Sequence, residues 1–228
     1  MPIFLDTGRI DEIKTYHRMG FLRGVTTNPT IMLGSGVTGG MPGIIQRTVE
    51  IARLIDPLPL SVEVTTNDRA GMIEEARMLA GLASNINVKI TIHGPKGEME
   101  NLEVIHELET VHNVRINVTA MMSAQQCLLA ALAGATYVSL FGGRVNNMGY
   151  NACDEITKLR KLLDALKLES KIIIGSTREV LNIIEWLSAG AHIVTCTPGL
   201  IKGMIVHPYS KETVQMFLDD AEKLKTML

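Results

Sequence analysis

Apolar residues recur along the chain in two rhythms. Eight short apolar runs, at 3–7, 24–28, 60–64, 87–91, 114–119, 137–141, 171–176 and 193–196, have the length and β-branched content of buried strands. Between them lie longer stretches with helical spacing. In 98–111 the residues Met99, Leu102, Ile105, Leu108 and Val111 form one predicted apolar stripe. In 177–190 the predicted inner face is Val180, Ile183, Ile184 and Leu187, with a stop at Gly190. In 151–170 it is Ile156, Leu159, Leu162, Leu163 and Leu166. Strand starts fall 21 to 36 residues apart, the size of one βα unit. Eight such units predict a closed (β/α)8 barrel, an α/β TIM barrel occupying residues 1–228 as a single domain. An open doubly wound sheet is the alternative, since a strand count does not prove closure. One helix is surplus to the eight units. It occupies 208–228, after the break at Pro208, with Ser210 as its expected cap.

One residue contradicts the strand pattern. Lys89 sits inside the alternating run Ile86-Asn87-Val88-Lys89-Ile90-Thr91-Ile92. A lysine there must be paired, neutralised or used. A barrel carries its chemistry at the C-terminal ends of its strands, so the other strand ends bear on this question. They supply Asp6, Thr27, Asn28, Glu63, Asn117, Thr119, Ser139, Phe141 and Ser176, with Arg144 and Arg178 just beyond. Plainer readings exist for each. Asp6 and Asn28 are common turn residues, Thr119 and Ser176 can cap helices, and Arg144 and Arg178 can be solvated loop charges. Glu63 and Lys89, on neighbouring strands, can be a structural ion pair.

Composition narrows the options. With 228 residues, 46% of them hydrophobic, the chain can bury a large core. The 22 basic against 24 acidic residues argue against a general nucleic-acid binder. Three scattered cysteines, Cys127, Cys153 and Cys196, form no C-x-x-C pair, so neither a zinc site nor a disulfide framework is expected. The six histidines show no paired spacing on a strand face, and no metal or cofactor is predicted. The run "GSGVTG" at 34–39 matches a dinucleotide-binding pattern literally. It lacks a preceding strand and a helix that starts within it, and reads as a loop that Gly40 and Pro42 extend. No signal peptide or membrane span is expected, which points to a reduced, cytoplasmic protein without a membrane partner.

Taken together, the strand-end set suits one chemistry. A neutral lysine amine attacks a ketone and forms a Schiff base. The iminium accepts the electrons of a neighbouring C–C bond without a metal. Carboxylates move the protons, amides and hydroxyls hold a polyol, and a basic rim holds a phosphate.

The most specific stretches are "IFLDT" at 3–7, "GVTTNPT" at 24–30, Val88-Lys89, "INVTAMMSAQQCLLAALAGATYVSLFGGR" at 116–144 and "GSTRE" at 175–179. Here the chain resembles the transaldolase family, in particular its small members that include fructose-6-phosphate aldolase. The resemblance implies that Lys89 forms the Schiff base. It makes Asp6 the acid/base for the hydroxyl on the departing carbon, and Glu63 with Thr119 the pair that positions a catalytic water. Thr27, Asn28, Asn117, Ser139 and Phe141 then lie in the substrate site. Asn28, Asn117 and Ser139 hold the dihydroxyacetone portion, and Arg144, Ser176 and Arg178 the phosphate. It also implies a barrel fold and a homo-oligomer, pentamer or decamer, in which the last helix reaches a neighbouring subunit. Aldolase members resemble Gln and Tyr where this chain has Glu63 and Phe141, which favours the transferase. Three places depart from the family pattern: Ile90-Thr91 with the loop "IHGPKGEME" after the lysine, Leu140 in place of Pro, and Asn146-Asn147 in place of acidic residues. They lie where the acceptor sugar is expected, and point to a less usual acceptor. Two rivals stay open: an aldolase that releases free dihydroxyacetone, and an inactive barrel that only binds sugar phosphates.

Overall fold

A computed structural model describes residues 2–227. Eight parallel strands close on themselves in sequence order: β1 (Ile3–Asp6), β2 (Val25–Thr26), β3 (Leu60–Glu63), β4 (Ile86–Thr91), β5 (Ile116–Met121), β6 (Tyr137–Leu140), β7 (Lys171–Ile174) and β8 (Ile193–Cys196). The closed barrel, with β8 hydrogen-bonded back to β1, excludes the open sheet. Between the strands run α1 (Ile10–His17), α2 (Pro29–Gly34), α3 (Gly40–Ile55), α4 (Arg69–Ala80), α5 (Glu100–Thr110), α6 (Ala124–Leu132), α7 (Gly142–Asn147), α8 (Ala152–Leu166) and α9 (Val180–Ser188). After β8 come α10 (Pro198–Ile205) and α11 (Pro208–Thr226). Among the described residues, no helix is long and apolar enough to cross a membrane.

Alternation along each strand turns every second side chain into the barrel, and these inward residues form an apolar half and a polar half. Phe4, Ile173 and Ile193 cluster inside it, with Tyr137 packed against them. Gly24 leaves room for the Phe4 ring, since a Cβ there would lie 2.6 Å from it. The other half is polar, with Ser61, Asn87, Lys89, Asn117 and Ser139 all buried on β3 to β6. The large apolar core lies between strands and helices.

Several expected helical faces are corrected. Helix α5 buries Asn101, Val104, Ile105 and Leu108, while Met99 and Val111 are exposed. A strict three-residue repeat falls short of the 3.6-residue turn and drifts off the inner face. Leu162 and Leu166 on α8 are likewise exposed, and on α9 Val180 and Ile184 are exposed while Trp186 is buried. Gly40 and Pro42 belong to the first turn of α3 rather than to the loop, and Gly34 ends α2, so "GSGVTG" joins two helices. Helix α11 starts at Pro208, with His207 as its flanking residue and Ser210 inside the first turn. Proline at the first helical position costs no hydrogen bond, which sets the start there. Every described residue of α11 is exposed, including Tyr209, Val214, Phe217, Leu218 and Leu224.

Candidate active site

The polar strand ends converge at one mouth of the barrel. A small cavity of about 40 Å³ is lined by Asp6, Thr26, Asn28, Lys89, Asn117, Thr119, Ser139, Phe141 and Thr195, among others. It adjoins an outer cavity of about 230 Å³ that shares Asp6, Asn28 and Phe141 and adds Arg144, Ser176 and Arg178. A larger cavity of about 680 Å³ lies on the outside, lined from α1 and α3 by residues such as Lys14, Arg53 and Leu54. The barrel mouth is nevertheless the better candidate, because buried polar groups converge there.

Lys89 is 5% exposed. Its Nζ lies 3.2 Å from Glu63 Oε2 and donates to the Thr27 carbonyl at 3.1 Å. Parallel pairing sets Glu63 directly beside Lys89 on adjacent strands, so the ion pair follows from the register. With side-chain exposures of 7% and 18%, the pair is largely withdrawn from water. Removing one partner of such a pair costs about 3–5 kcal/mol, whereas the intact pair adds little stability. Asp6 lies across the same cavity. Desolvation raises its carboxyl above the ordinary carboxylate range, while a 2.6 Å hydrogen bond from Thr26 and the charge of Lys89 pull it part of the way back.

The floor is a directed hydrogen-bond chain. Ser139 Oγ donates to Asn117 Oδ1 at 2.6 Å, and Asn117 Nδ2 donates to Ser61 Oγ at 3.0 Å. This fixes the Asn117 amide and leaves Ser139 lone pairs able to accept from a substrate hydroxyl. Thr119 Oγ1 is buried without a protein partner. Next to it the β5–β6 register shifts between Val118 and Met121, and Ala120 takes φ 60°. Bulges of this kind re-aim side chains beside active sites.

The rim is basic and tightly built. Arg144 stacks its guanidinium 5.2 Å from the centre of the Phe141 ring. Ser176 adopts φ 58°, a strained conformation for a residue with a Cβ, and its buried Oγ has no protein partner. Gly143, in the turn that carries Arg144, lies so close that a Cβ would fall 1.8 Å from the Ser176 carbonyl oxygen.

Of the expected residues, Asp6, Asn28, Lys89, Asn117, Thr119, Ser139 and Phe141 line the inner cavity, and Arg144, Ser176 and Arg178 the outer one. Glu63 joins through Lys89. The Asn28 side chain also caps α2 by accepting from Ile31 N–H at 2.8 Å. Thr27 is placed differently: its hydroxyl donates to the Ser61 carbonyl, and its own carbonyl serves Lys89. Strand alternation turns Thr26 inward instead. Thr26, Thr195 and Ser61 escaped the sequence reading because a hydroxyl in a strand looks like ordinary β-forming sequence. The inward parity set by Asp6 and Lys89 was the available signal. The loop after β4 is an ordered turn: Gly94 N–H donates to the Glu98 carbonyl, and Asn101 on α5 donates to Thr91 and Asn67.

Comparison with known proteins follows the same lines. The sequence model of the family described as "Transaldolase/Fructose-6-phosphate aldolase" matches residues 3–228. A protein of Oceanobacillus iheyensis named "Probable transaldolase" is 37% identical over 222 residues, covering 96% of this chain and 98% of its own. A "Probable transaldolase" of Thermoplasma acidophilum is 38% identical over 224 residues, covering 98% and 96%. Among solved structures, a thiamine phosphate pyrophosphorylase from Pyrococcus furiosus superposes with a TM-score of 0.60 at 11% identity, covering 86% of this chain and 85% of its own. That likeness concerns the barrel alone.

Proposed function

This chain belongs to the transaldolase/fructose-6-phosphate aldolase family, and we propose that it is a metal-independent transaldolase that moves a dihydroxyacetone unit through a Schiff base on Lys89. The donor is a ketose phosphate, fructose 6-phosphate or sedoheptulose 7-phosphate, and the acceptor is an aldose phosphate. The observation that carries this reading is the buried Lys89 amine 3.2 Å from Glu63, facing one cavity with Asp6 and Thr119.

In this mechanism Lys89 passes a proton to Glu63 and its amine attacks the ketone carbon. Glu63 and Thr119 hold the water that carries protons while the carbinolamine loses water. The orphan Thr119 hydroxyl supports that role. Asp6 then takes the proton from the hydroxyl on the departing carbon. The adjacent C–C bond breaks, the aldose leaves as an aldehyde, and the bonding electrons flow into the iminium to give an enamine on Lys89. The aldose acceptor enters, and the steps run in reverse. The raised Asp6 carboxyl suits a group that must both take and return this proton. Asn28, Asn117 and Ser139 hold the three-carbon unit, and Arg144, Ser176 and Arg178 the phosphate.

Glu63 and Phe141, rather than Gln and Tyr, support transfer over simple aldol cleavage. The loop 92–99 is assigned to acceptor choice. The exposed apolar residues of α11 support docking of 208–228 on a neighbouring subunit, in a cytoplasmic pentamer or decamer whose protomer is one barrel domain. The test is to incubate the protein with fructose 6-phosphate, with and without a panel of aldose phosphates, and to measure free dihydroxyacetone and new ketose. The proposal predicts acceptor-dependent ketose with little free dihydroxyacetone. Free dihydroxyacetone at equal rates in both arms supports the aldolase instead. Clear preference for the ordinary acceptors, erythrose 4-phosphate and glyceraldehyde 3-phosphate, removes the role given to the loop.

A further inference from the structure

Two threonine hydroxyls meet inside the barrel in front of Asp6. Thr26 comes from β2 and Thr195 from β8, the two strands that flank β1. They are 3% and 6% exposed, and their Oγ1 atoms are 2.5 Å apart. Thr26 Oγ1 also donates to Asp6 Oδ1 at 2.6 Å. A hydroxyl has one proton, and that of Thr26 is committed to the carboxylate. The proton between the two threonines therefore belongs to Thr195. The chain runs one way, from Thr195 to Thr26 to Asp6 Oδ1. Thr195 is itself anchored, since Thr177 Oγ1 donates to its carbonyl at 2.8 Å.

We propose that Thr195 is a positioning residue for Asp6: acting through Thr26, it holds Oδ1 engaged so that Oδ2 is the oxygen that takes and returns the substrate proton. This rests on the reading of Asp6 as the acid/base of the transfer. Thr195 touches the carboxylate only through Thr26, yet it sets the Thr26 hydroxyl rotor, and hydrogen bonds in series polarise one another in a water-poor interior. A donor to the ionised carboxylate favours that form, so loss of the Thr195 hydroxyl moves the Asp6 titration to higher pH. The other charged and titratable groups around Asp6 are Lys89 from β4 with Glu63 from β3, the Cys196 thiol from β8, and Arg144 and Arg178 at the outer cavity. The Cys196 thiol is pushed up to about 12 by desolvation and the Asp6 charge. None of these is altered by changing Thr195 to the isosteric valine.

The experiment compares the full-length protein with Thr195→Val, Thr195→Ser and Thr26→Val. The Asp6 carboxyl is titrated in the free protein by carbon-13 NMR, transfer is followed by steady-state kinetics, and borohydride traps the ketose on Lys89. Thr195→Val is expected to raise the Asp6 midpoint and lower kcat about tenfold at unchanged KM, in line with a small misplacement of a proton-transfer group. Trapping on Lys89 stays at the unsubstituted level, and Thr195→Ser restores both the midpoint and kcat. Thr26→Val shows the same changes, larger. An unchanged Asp6 midpoint in Thr195→Val overturns the proposal, as does a loss that serine does not restore. Absence of trapping in the unsubstituted protein contradicts the Lys89 reading instead, and the titration of the free protein still decides the role of Thr195.

Discussion

Gly143→Ala probes how tightly the rim is built. The added Cβ falls 1.8 Å from the Ser176 carbonyl oxygen and 3.0 Å from Arg178 Cγ, against 3.4 Å or more for ordinary contact. The clash with a backbone atom cannot be relieved by a rotamer change. Either the turn 141–144 or the segment 175–178 must move by about 1.5 Å, the shortfall from normal van der Waals separation. Overpacking of this kind costs about 1–3 kcal/mol. For a chain of this size each kcal/mol lowers Tm by about 2–4 °C, so a fall of about 2–12 °C is expected. The same movement separates Arg144 from Ser176 and Arg178. A misplacement of about 1 Å in a site costs on the order of 100-fold in rate. Thermal unfolding and kinetics on fructose 6-phosphate and on unphosphorylated fructose measure both effects. The loss should fall chiefly on the phosphorylated donor. Gly199→Ala, on α10 with nothing within 4 Å of the added Cβ, is the control: it should leave the kinetics unchanged and should not lower Tm, since alanine suits a helix better than glycine. A Gly143→Ala protein with unaltered Tm and unaltered kinetics on fructose 6-phosphate refutes the geometric argument.

Three further outcomes are expected. Burial holds the Asp6 carboxyl above its ordinary 3.8, so the folded chain binds the extra proton between that value and the folded one, and stability falls as pH rises through this window. Asp6→Asn should therefore raise Tm at pH 7, with the difference from the unsubstituted protein vanishing below about pH 3.8 in acid melts. Replacing Arg144 and Arg178 together by alanine should raise KM for fructose 6-phosphate by on the order of 100-fold, from the loss of two charge-assisted contacts, and should leave KM for unphosphorylated fructose nearly unchanged. Deletion of residues 208–228 should leave the barrel folded by circular dichroism and shift the species seen by analytical ultracentrifugation to smaller size. An unchanged assembly removes the docking role of α11.

Much of the barrel was legible because each strand is buried on both faces. Runs such as 87–91 and 171–176 leave few other readings, and eight at regular spacing point to a barrel, while closure itself rests on the β8–β1 pairing that no run encodes. Strand ends were harder. The expected run 24–28 shrinks to the two residues Val25–Thr26, because Asn28 turns to cap α2. The site was legible where chemistry clashes with burial, as at Lys89, and where a charge follows a strand, as at Arg144 and Arg178. It was opaque where the side chain also suits a strand. Thr26 and Thr195 belong to this class, since threonine is an ordinary strand residue. Gly143 shows a third limit, since its role comes from Ser176 on another strand end, a contact that no local pattern encodes. The outer helix faces failed for a simpler reason. Apolar residues such as Ile184 and Leu181 are plentiful on the outside of this barrel, and periodicity alone does not separate them from the core.

The central claim is that Lys89 forms the imine. Incubation with fructose 6-phosphate, reduction with borohydride and peptide mapping by mass spectrometry test it most directly. The account predicts a stable sugar adduct on Lys89 in the peptide spanning 78–96, with none in Lys89→Met. No adduct, or an adduct on a different lysine that survives Lys89→Met, contradicts it.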